Sequence, residues 1–205
     1  MNILIGTKNP YKAGVMEYML SDIDDVKIHF LKDSNINIEI EEDGPSLIEN
    51  AKKKAREISK YTDWYVLTSD GGVDIPSLGS KWDILRNQRI VGHENDDITK
   101  VINILKLMKG IKKEDRKVEY HLALALALEG KIVGVLEGIT DRGYIIEKMP
   151  KGDIPFGMWM GHIWYYPKFQ KTFTQLDEIE LNEANSQGDV LKEGLKKLIQ
   201  GIEGD

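Results

Sequence analysis

Hydrophobic residues recur along this chain in two rhythms, one of period near 3.6 and one of period 2, and each predicts a different element. Asn2–Gly6 (NILIG) is a short apolar run closed by a turn, which predicts a buried strand. Asn9-Pro10 follows as a helix start, because Asn caps and Pro is tolerated at the first helical position; the helix is expected to reach Leu20. Strands are predicted at Val26–Leu31 (VKIHFL) and Ile36–Glu41 (INIEIE), the second alternating cleanly. Gly44-Pro45 breaks the chain. Ser46 and Glu49 then stand at capping-box spacing and open a helix to Lys60. Trp64–Ser69 is the next expected strand, and Gly71–Asn95 is an irregular stretch.

Asp96–Gly110 predicts an amphipathic helix with Ile98, Val101, Ile102, Leu105 and Met108 on one face and Gly110 as its stop. The clearest period-2 signal is KVEYHLALALALEGKIVGVLEGIT, two strands around Glu129-Gly130. One face of it carries Leu122, Leu124, Leu126 and Leu128, the other Ala123, Ala125 and Ala127. A face of alanines predicts close packing by another element. A short strand is expected at Tyr144–Lys148, an aromatic patch at Met158–Pro167, and a last helix over Ser186–Ile202 with Leu191, Leu195, Leu198, Ile199 and Ile202 inward. Mixed strands and helices with one long hairpin make the class α/β with a mixed, twisted sheet.

Composition narrows the function. The 205 residues, 41% of them hydrophobic, are enough for one full core, so residues 1–205 are read as a single domain. A net charge of −6 argues against a nonspecific nucleic-acid binder, which needs a broad basic surface. The chain has no cysteine, which excludes disulfides, thiolate metal sites and cysteine nucleophiles. No stretch approaches the roughly 20 apolar residues of a membrane span. The expectation is a soluble cytoplasmic protein without nucleic-acid or membrane partners.

Three stretches carry candidate chemistry. In GTKNPYK, Thr7, Lys8, Asn9 and Lys12 stand where a strand turns into a helix; helix N-terminal N–H groups and two lysines favour an anion there. A capped helix with solvated lysines is the plainer account of the same residues. In EEDGPSLIENAKKKA, the carboxylates of Glu41, Glu42 and Asp43 precede a lysine triplet, and hard cations such as Mg²⁺ take oxygen ligands. Lys52, Lys53 and Lys54 point about 100° apart on a helix, so at most two can face one site. In LTSDGGVDIP, Asp70 is either a turn residue before glycine or a carboxylate held at a strand end, where sites in open α/β sheets gather. Gly71 and Gly72 would let a ligand approach the backbone. The histidines, His29, His93, His121 and His162, show no metal-ligand spacing, and His29 and His121 fall inside strand patterns.

These stretches, in this order, resemble the inosine-triphosphate pyrophosphatase family of house-cleaning nucleotide hydrolases. The family's T-G-N-x-x-K is here Thr7-Lys8-Asn9-Pro10-Tyr11-Lys12. Its E-E-T-G and E-N-A-x-x-K-A are Glu41-Glu42-Asp43-Gly44 and Glu49-Asn50-Ala51-Lys52-Lys53-Lys54-Ala55. Its D-D-S-G-L-x-V-x-A-L-G is Ser69 through Gly79, and Lys171-Thr172-Phe173 matches a K-T-F near the end. The resemblance implies a mixed-sheet fold with two lobes around a nucleotide cleft, a homodimer, and Mg²⁺-dependent cleavage of a nucleoside triphosphate to monophosphate and pyrophosphate. By match, Thr7, Asn9, Lys12 and Lys54 would bind the phosphates, with Lys8 joining them as a charge of the same loop; Glu41 and Asp70 would hold the metal, and Asp70 would help activate water.

The departures are concentrated. Lys8 replaces a glycine, Ser69 the first of the paired aspartates, and Gly71 a serine. The family's F-G-Y-D-P loop aligns either with Phe156-Gly157-Met158-Trp159 or with Ile163-Trp164-Tyr165-Tyr166-Pro167, the latter putting Tyr166 at the Asp position. In K-N-A-x-S-H-R-G, the Lys, His and Arg become Leu181, Ser186 and Gln187. Gly71, Phe156, Gly157, Trp159, Ser186 and Gln187 are therefore the candidates for the base or sugar side. The phosphate and metal side is kept while the base side is rewritten, which implies a hydrolase with altered base preference. The alternative is a nucleotide-binding homologue of the same fold that no longer hydrolyses.

Overall fold

The computed structural model describes residues 1–86, 90–92, 96–155 and 157–203, the last of these in its backbone only. His93 and Phe156, named above, lie outside the described residues. The chain is mixed α/β, and its described residues form a seven-stranded sheet in the order β2 (Lys27–Phe30), β1 (Asn2–Ile5), β3 (Tyr65–Asp74), β4 (Lys117–Leu128), β5 (Lys131–Ile145), β6 (Trp164–Tyr166), β7 (Lys171–Thr172). It divides into two compact units, one of residues 1–71, 122–138 and 188–205, the other of residues 72–121 and 139–187.

In the first unit, β1 (Asn2–Ile5) pairs in parallel with β2 (Lys27–Phe30) on one side and with β3 (Tyr65–Asp74) on the other. Ile3, Leu4, Ile5, Val66 and Leu67 are fully buried, as expected for strands covered on both faces. Helix α1 (Pro10–Leu20) begins on the cap foreseen at Asn9, and α2 (Leu47–Ile58) on Ser46, whose Oγ accepts the Glu49 N–H at 3.3 Å. Only this half of the capping box forms; Glu49 instead pairs with Lys52 at 2.7 Å. Ile36–Glu41 is not a strand. It has no ladder partner, although Ile36, Ile38 and Ile40 still pack on the cluster of Leu4, Leu31, Ile58 and Val66. The alternation is real and marks an extended segment that lays one edge on the core without entering the sheet.

Strands β4 (Lys117–Leu128) and β5 (Lys131–Ile145) form the predicted hairpin. Glu129 (φ 49°) and Gly130 (φ 75°) are both left-handed, the two-residue turn whose twist suits a hairpin. The alanine face is fully buried. Helix α6 (Asp189–Glu203) buries Leu191, Leu195 and Ile199. It comes so close to β5 that a Cβ on Gly134 would stand 2.5 Å from Leu198.

In the second unit, α3 (Asp97–Leu107) is present but rotated from expectation. Val101, Ile104 and Met108 are buried, whereas Ile98 and Ile102 are 54% and 40% exposed. Seven apolar residues over three turns leave the phase open, and packing selected the 101/104/108 stripe. The strand expected at Tyr144–Lys148 does not start anew, since β5 runs through to Ile145. The aromatic patch folds as a short helix α4 (Trp159–Ile163) and β6 (Trp164–Tyr166), which pairs with β5 and with β7 (Lys171–Thr172). Trp159, Ile163, Trp164 and Tyr166 join its core. A helix unseen in the sequence, α5 (Glu178–Asn185), opens on an Asp177–Glu180 capping box. Arg116, 3% exposed, donates to the carbonyls of Met108, Ile145 and Ile146 at 2.7–2.8 Å.

Candidate functional site

Asp70 is not at a strand end. β3 continues through Asp70, Gly71 and Gly72 to Asp74, so the Asp-Gly pair is strand and not turn. The carboxylate is 5% exposed, and a buried carboxylate needs partners. Three side chains of the same unit supply them. Asn50 donates from Nδ2 to Oδ2 at 3.0 Å, and the ammonium groups of Lys12 and Lys54 each lie 3.5 Å from Oδ1.

Each partner arrives for a local reason. Asn50 and Lys54 are four apart on α2 and so share one face. Thr68, two residues before Asp70 and hence on the same face of β3, donates to the Ala51 carbonyl at 2.7 Å, which ties that face to α2. Lys12 lies in the first turn of α1, one turn beyond its cap. Asn50 also accepts the Gly44 N–H at 2.8 Å, anchoring the acidic loop to the site. Of the lysine triplet, Lys52 turns to Glu49 and Lys53 to Asp43, while Lys54 alone reaches Asp70. Lys54 also pairs with Glu42, so one ammonium bridges two carboxylates from different segments.

The sequence reading named Asp70, Lys12 and Lys54, which the fold brings together. It missed Asn50 and Glu42. Asn50 was legible from its i, i+4 spacing to Lys54; Glu42 was indistinguishable from its neighbour Glu41. Glu41 is exposed, and its side chain lies along a groove with Ile38, Lys53, Glu57 and Tyr61.

Around Asn9 the loop is self-satisfied. Asn9 Oδ1 accepts from the N–H groups of Tyr11 and Lys12 at 2.9 and 3.2 Å, and Thr7 Oγ1 accepts from the Asn9 N–H at 3.2 Å. What this loop offers an anion is therefore the Thr7 hydroxyl proton and the lysine ammoniums rather than the capped amides. Lys8 is exposed and donates to Asn37 Oδ1 at 2.8 Å. Ser69 is buried, and strand alternation turns it to the face opposite Asp70. Nor are the glycines after Asp70 both open to a ligand. A Cβ on Gly72 would stand 2.4 Å from the Ile84 carbonyl oxygen, so the protein's own backbone takes that space.

The base-side candidates fall in the second unit, apart from Gly71. Gly157 has a left-handed φ of 77°, and its N–H donates to Asp97 at 2.7 Å. Trp159 is 5% exposed and packs in the core. Ser186 turns back to the Glu183 carbonyl at 2.7 Å. Gln187 donates to Asp141 Oδ1 at 3.1 Å, while Tyr166 donates from its hydroxyl to Oδ2 at 2.6 Å. Gln187 stands at an altered motif position, and Tyr166 does so in one of the two alignments of the aromatic loop; they meet on a carboxylate that no motif had marked. Burial pushes the Asp141 pKa up to about 6, opposed in part by those hydrogen bonds.

Comparison with known proteins places this geometry. The pattern of the Ham1 family matches residues 3–197. The dITP/XTP pyrophosphatase of Bacillus subtilis is 32% identical over 203 residues, covering 96% of each chain. That of Bacillus licheniformis is 33% identical, covering 93% of this chain and 94% of its own. Among solved structures, a HAM1 protein from Coxiella burnetii superposes with a TM-score of 0.78 at 26% identity, covering 98% of this chain and 99% of that one. The Staphylococcus aureus Ham1 protein, at 20% identity and a TM-score of 0.76 over 98% of this chain and 99% of its own, shares the fold. The chain belongs to the Ham1 family, the inosine-triphosphate pyrophosphatase family that its ordered motifs resemble.

Proposed function

We propose that the protein hydrolyses nucleoside triphosphates to the monophosphate and pyrophosphate, with a divalent cation and with a base preference altered from the 6-oxopurines. The observation that carries this reading is the buried Asp70 held by Lys12, Lys54 and Asn50. A carboxylate so placed is costly unless it has work to do, and lysines beside it suit a polyanion. The dITP/XTP pyrophosphatase relatives support the reaction class.

The donor set fits Mg²⁺. Lys54 already sits between Glu42 and Asp70, so two carboxylates converge on one cation position, and Glu41 is adjacent in sequence. Asp70, Glu41 and Glu42 are the residues that would hold the ion. When bound it would add positive charge against the phosphates and acidify water. The chain's own residues do the rest. Lys12 and Lys54 take phosphate oxygens in exchange for Asp70, with Thr7, Lys8 and Asn9 at the same loop. Asn50 fixes the rotamer of Asp70. Asp70 accepts a proton from the attacking water as the new P–O bond forms at the α-phosphorus and pyrophosphate leaves.

The altered base preference rests on Gln187, where the family pattern carries arginine, meeting Asp141 together with Tyr166, which takes the aspartate position in one alignment of the aromatic loop. A site that hydrogen-bonds a base edge discriminates strongly, and new donors change what it accepts. The same reading carries the homodimeric assembly and cytoplasmic setting implied by the resemblance. The second reading, a binder without turnover, is favoured by Ser69 and by the loss of the Lys-His-Arg set. One assay separates them: purified protein with Mg²⁺ and a panel of ordinary and altered triphosphates, scored for pyrophosphate. Release of pyrophosphate from at least one triphosphate is expected. Binding without pyrophosphate from any would establish the binder, and orthophosphate would overturn the cleavage position.

A further inference from the structure

Away from Asp70, in the second unit, three potential ligands converge. Asp74 ends β3, and Glu119 and His121 lie two apart on the neighbouring strand β4, where alternation puts them on one face. One ligand atom from each can be chosen so that all three lie within 4.8 Å of one another. Among the described residues they are the group of three or more that meets this test.

The group is also electrostatically incomplete. The carboxylate of Asp74 has no hydrogen bond or ion pair among the described residues. Glu119 gives Oε1 to Arg142 Nε at 3.1 Å and keeps Oε2 turned to His121. His121 Nε2 is shut off from solvent and has no hydrogen-bond partner, its distance to Glu119 Oε2 of 3.5 Å being too long for a good one. Of the two carboxylates only Glu119 meets an arginine, and a shielded ring nitrogen lies beside them with its lone pair or proton unspent.

A metal ion answers each of these facts. Imidazole and carboxylate ligands stand about 2.0–2.2 Å from a zinc-sized ion, so two of them at a tetrahedral angle are about 3.4 Å apart. The His121–Glu119 separation is 3.5 Å, and Asp74 needs a rotamer adjustment to close the third position. An imidazole nitrogen with two carboxylate oxygens selects first-row transition ions over Mg²⁺, which wants oxygen alone.

We propose that Asp74, Glu119 and His121 form a second cation site, for a divalent transition metal such as Zn²⁺ or Mn²⁺, separate from the Asp70 site. Water completes its coordination. Its effect is to clip β3 to β4. It does not depend on the hydrolase reading, because the three residues are not among those assigned to phosphates or to catalysis.

The test uses the full-length Asp70→Asn protein, which removes the other candidate metal carboxylate, stripped with a chelator and titrated with Co²⁺ as a visible probe. One Co²⁺ per chain is expected, with a ligand-field absorption band and a raised melting temperature. Adding His121→Ala or Asp74→Asn should weaken binding by at least about tenfold and remove the melting shift. Circular dichroism checks that each variant is folded, and His29→Ala serves as the control that should leave binding unchanged. The proposal is overturned if folded Asp70→Asn protein retains no Co²⁺. It is equally overturned if binding survives both His121→Ala and Asp74→Asn, or if His29→Ala abolishes it.

Discussion

At the scale of single residues, Asp70 is where the proposed chemistry is tested. Asp70→Asn keeps the shape and the Asn50 contact but removes the proposed proton acceptor and one proposed cation ligand. Turnover should fall by about 10²–10⁴-fold, with a far-ultraviolet spectrum like that of the parent. Unchanged turnover would return Asp70 to a purely structural role. Lys12→Ala removes an ammonium that is about one quarter exposed and 3.5 Å from Asp70. Triphosphate affinity should drop about tenfold in dilute buffer, measured by calorimetry, and the loss should shrink near 1 M salt, where the screening length is about 3 Å. A loss insensitive to salt would mean that Lys12 acts by packing. These residues were visible in the sequence because charge and spacing mark them. Asp141 was not visible, because its significance comes from Tyr166 and Gln187 meeting it across the fold.

At the scale of elements, β3 shows where local pattern stops being informative. SDGG reads as a turn, yet the chain stays extended through Asp74. Strand pairing outweighs the turn preference of Asp-Gly, and Gly72 is there because the Ile84 backbone crosses beside it. Gly72→Ala puts a methyl 2.4 Å from a carbonyl oxygen, a contact that only backbone movement relieves. It should destabilise the protein by about 1–3 kcal/mol in urea unfolding. Gly110→Ala meets no atom but is held at φ 85°, and a smaller loss there would separate strain from collision. The hairpin, α1 and α2 were legible because caps, a two-residue turn and strict alternation agree with one another. The phase of α3 and the unpaired Ile36–Glu41 segment were not, since both depend on which neighbour the apolar face meets.

At the scale of the whole molecule, Asp141 couples stability to pH. Its carboxyl is held neutral to about pH 6 in the fold, by burial first, while an unfolded aspartate ionises near pH 4. Below about pH 4 both states are protonated and the group favours neither. As pH rises from about 4 to about 6 the unfolded chain releases its proton and the folded chain does not. Stability from this group is therefore fully present at the acid end, is lost through that window, and stays lost above it. The cost at neutral pH is on the order of 3 kcal/mol. Asp141→Asn cannot ionise, and its amide can still accept from Tyr166 while Gln187 turns its oxygen to the new donor. The variant's urea midpoint should match the parent's near pH 4 and exceed it at pH 7, so that the two pH profiles diverge between about 4 and 6. Parallel profiles would show that Asp141 ionises in the fold as it does in water. In a nucleotide hydrolase such a carboxyl is retained against its own cost to stability, so the same variant should change the ratio of kcat/KM between bases while leaving the affinity for inorganic tripolyphosphate as it was.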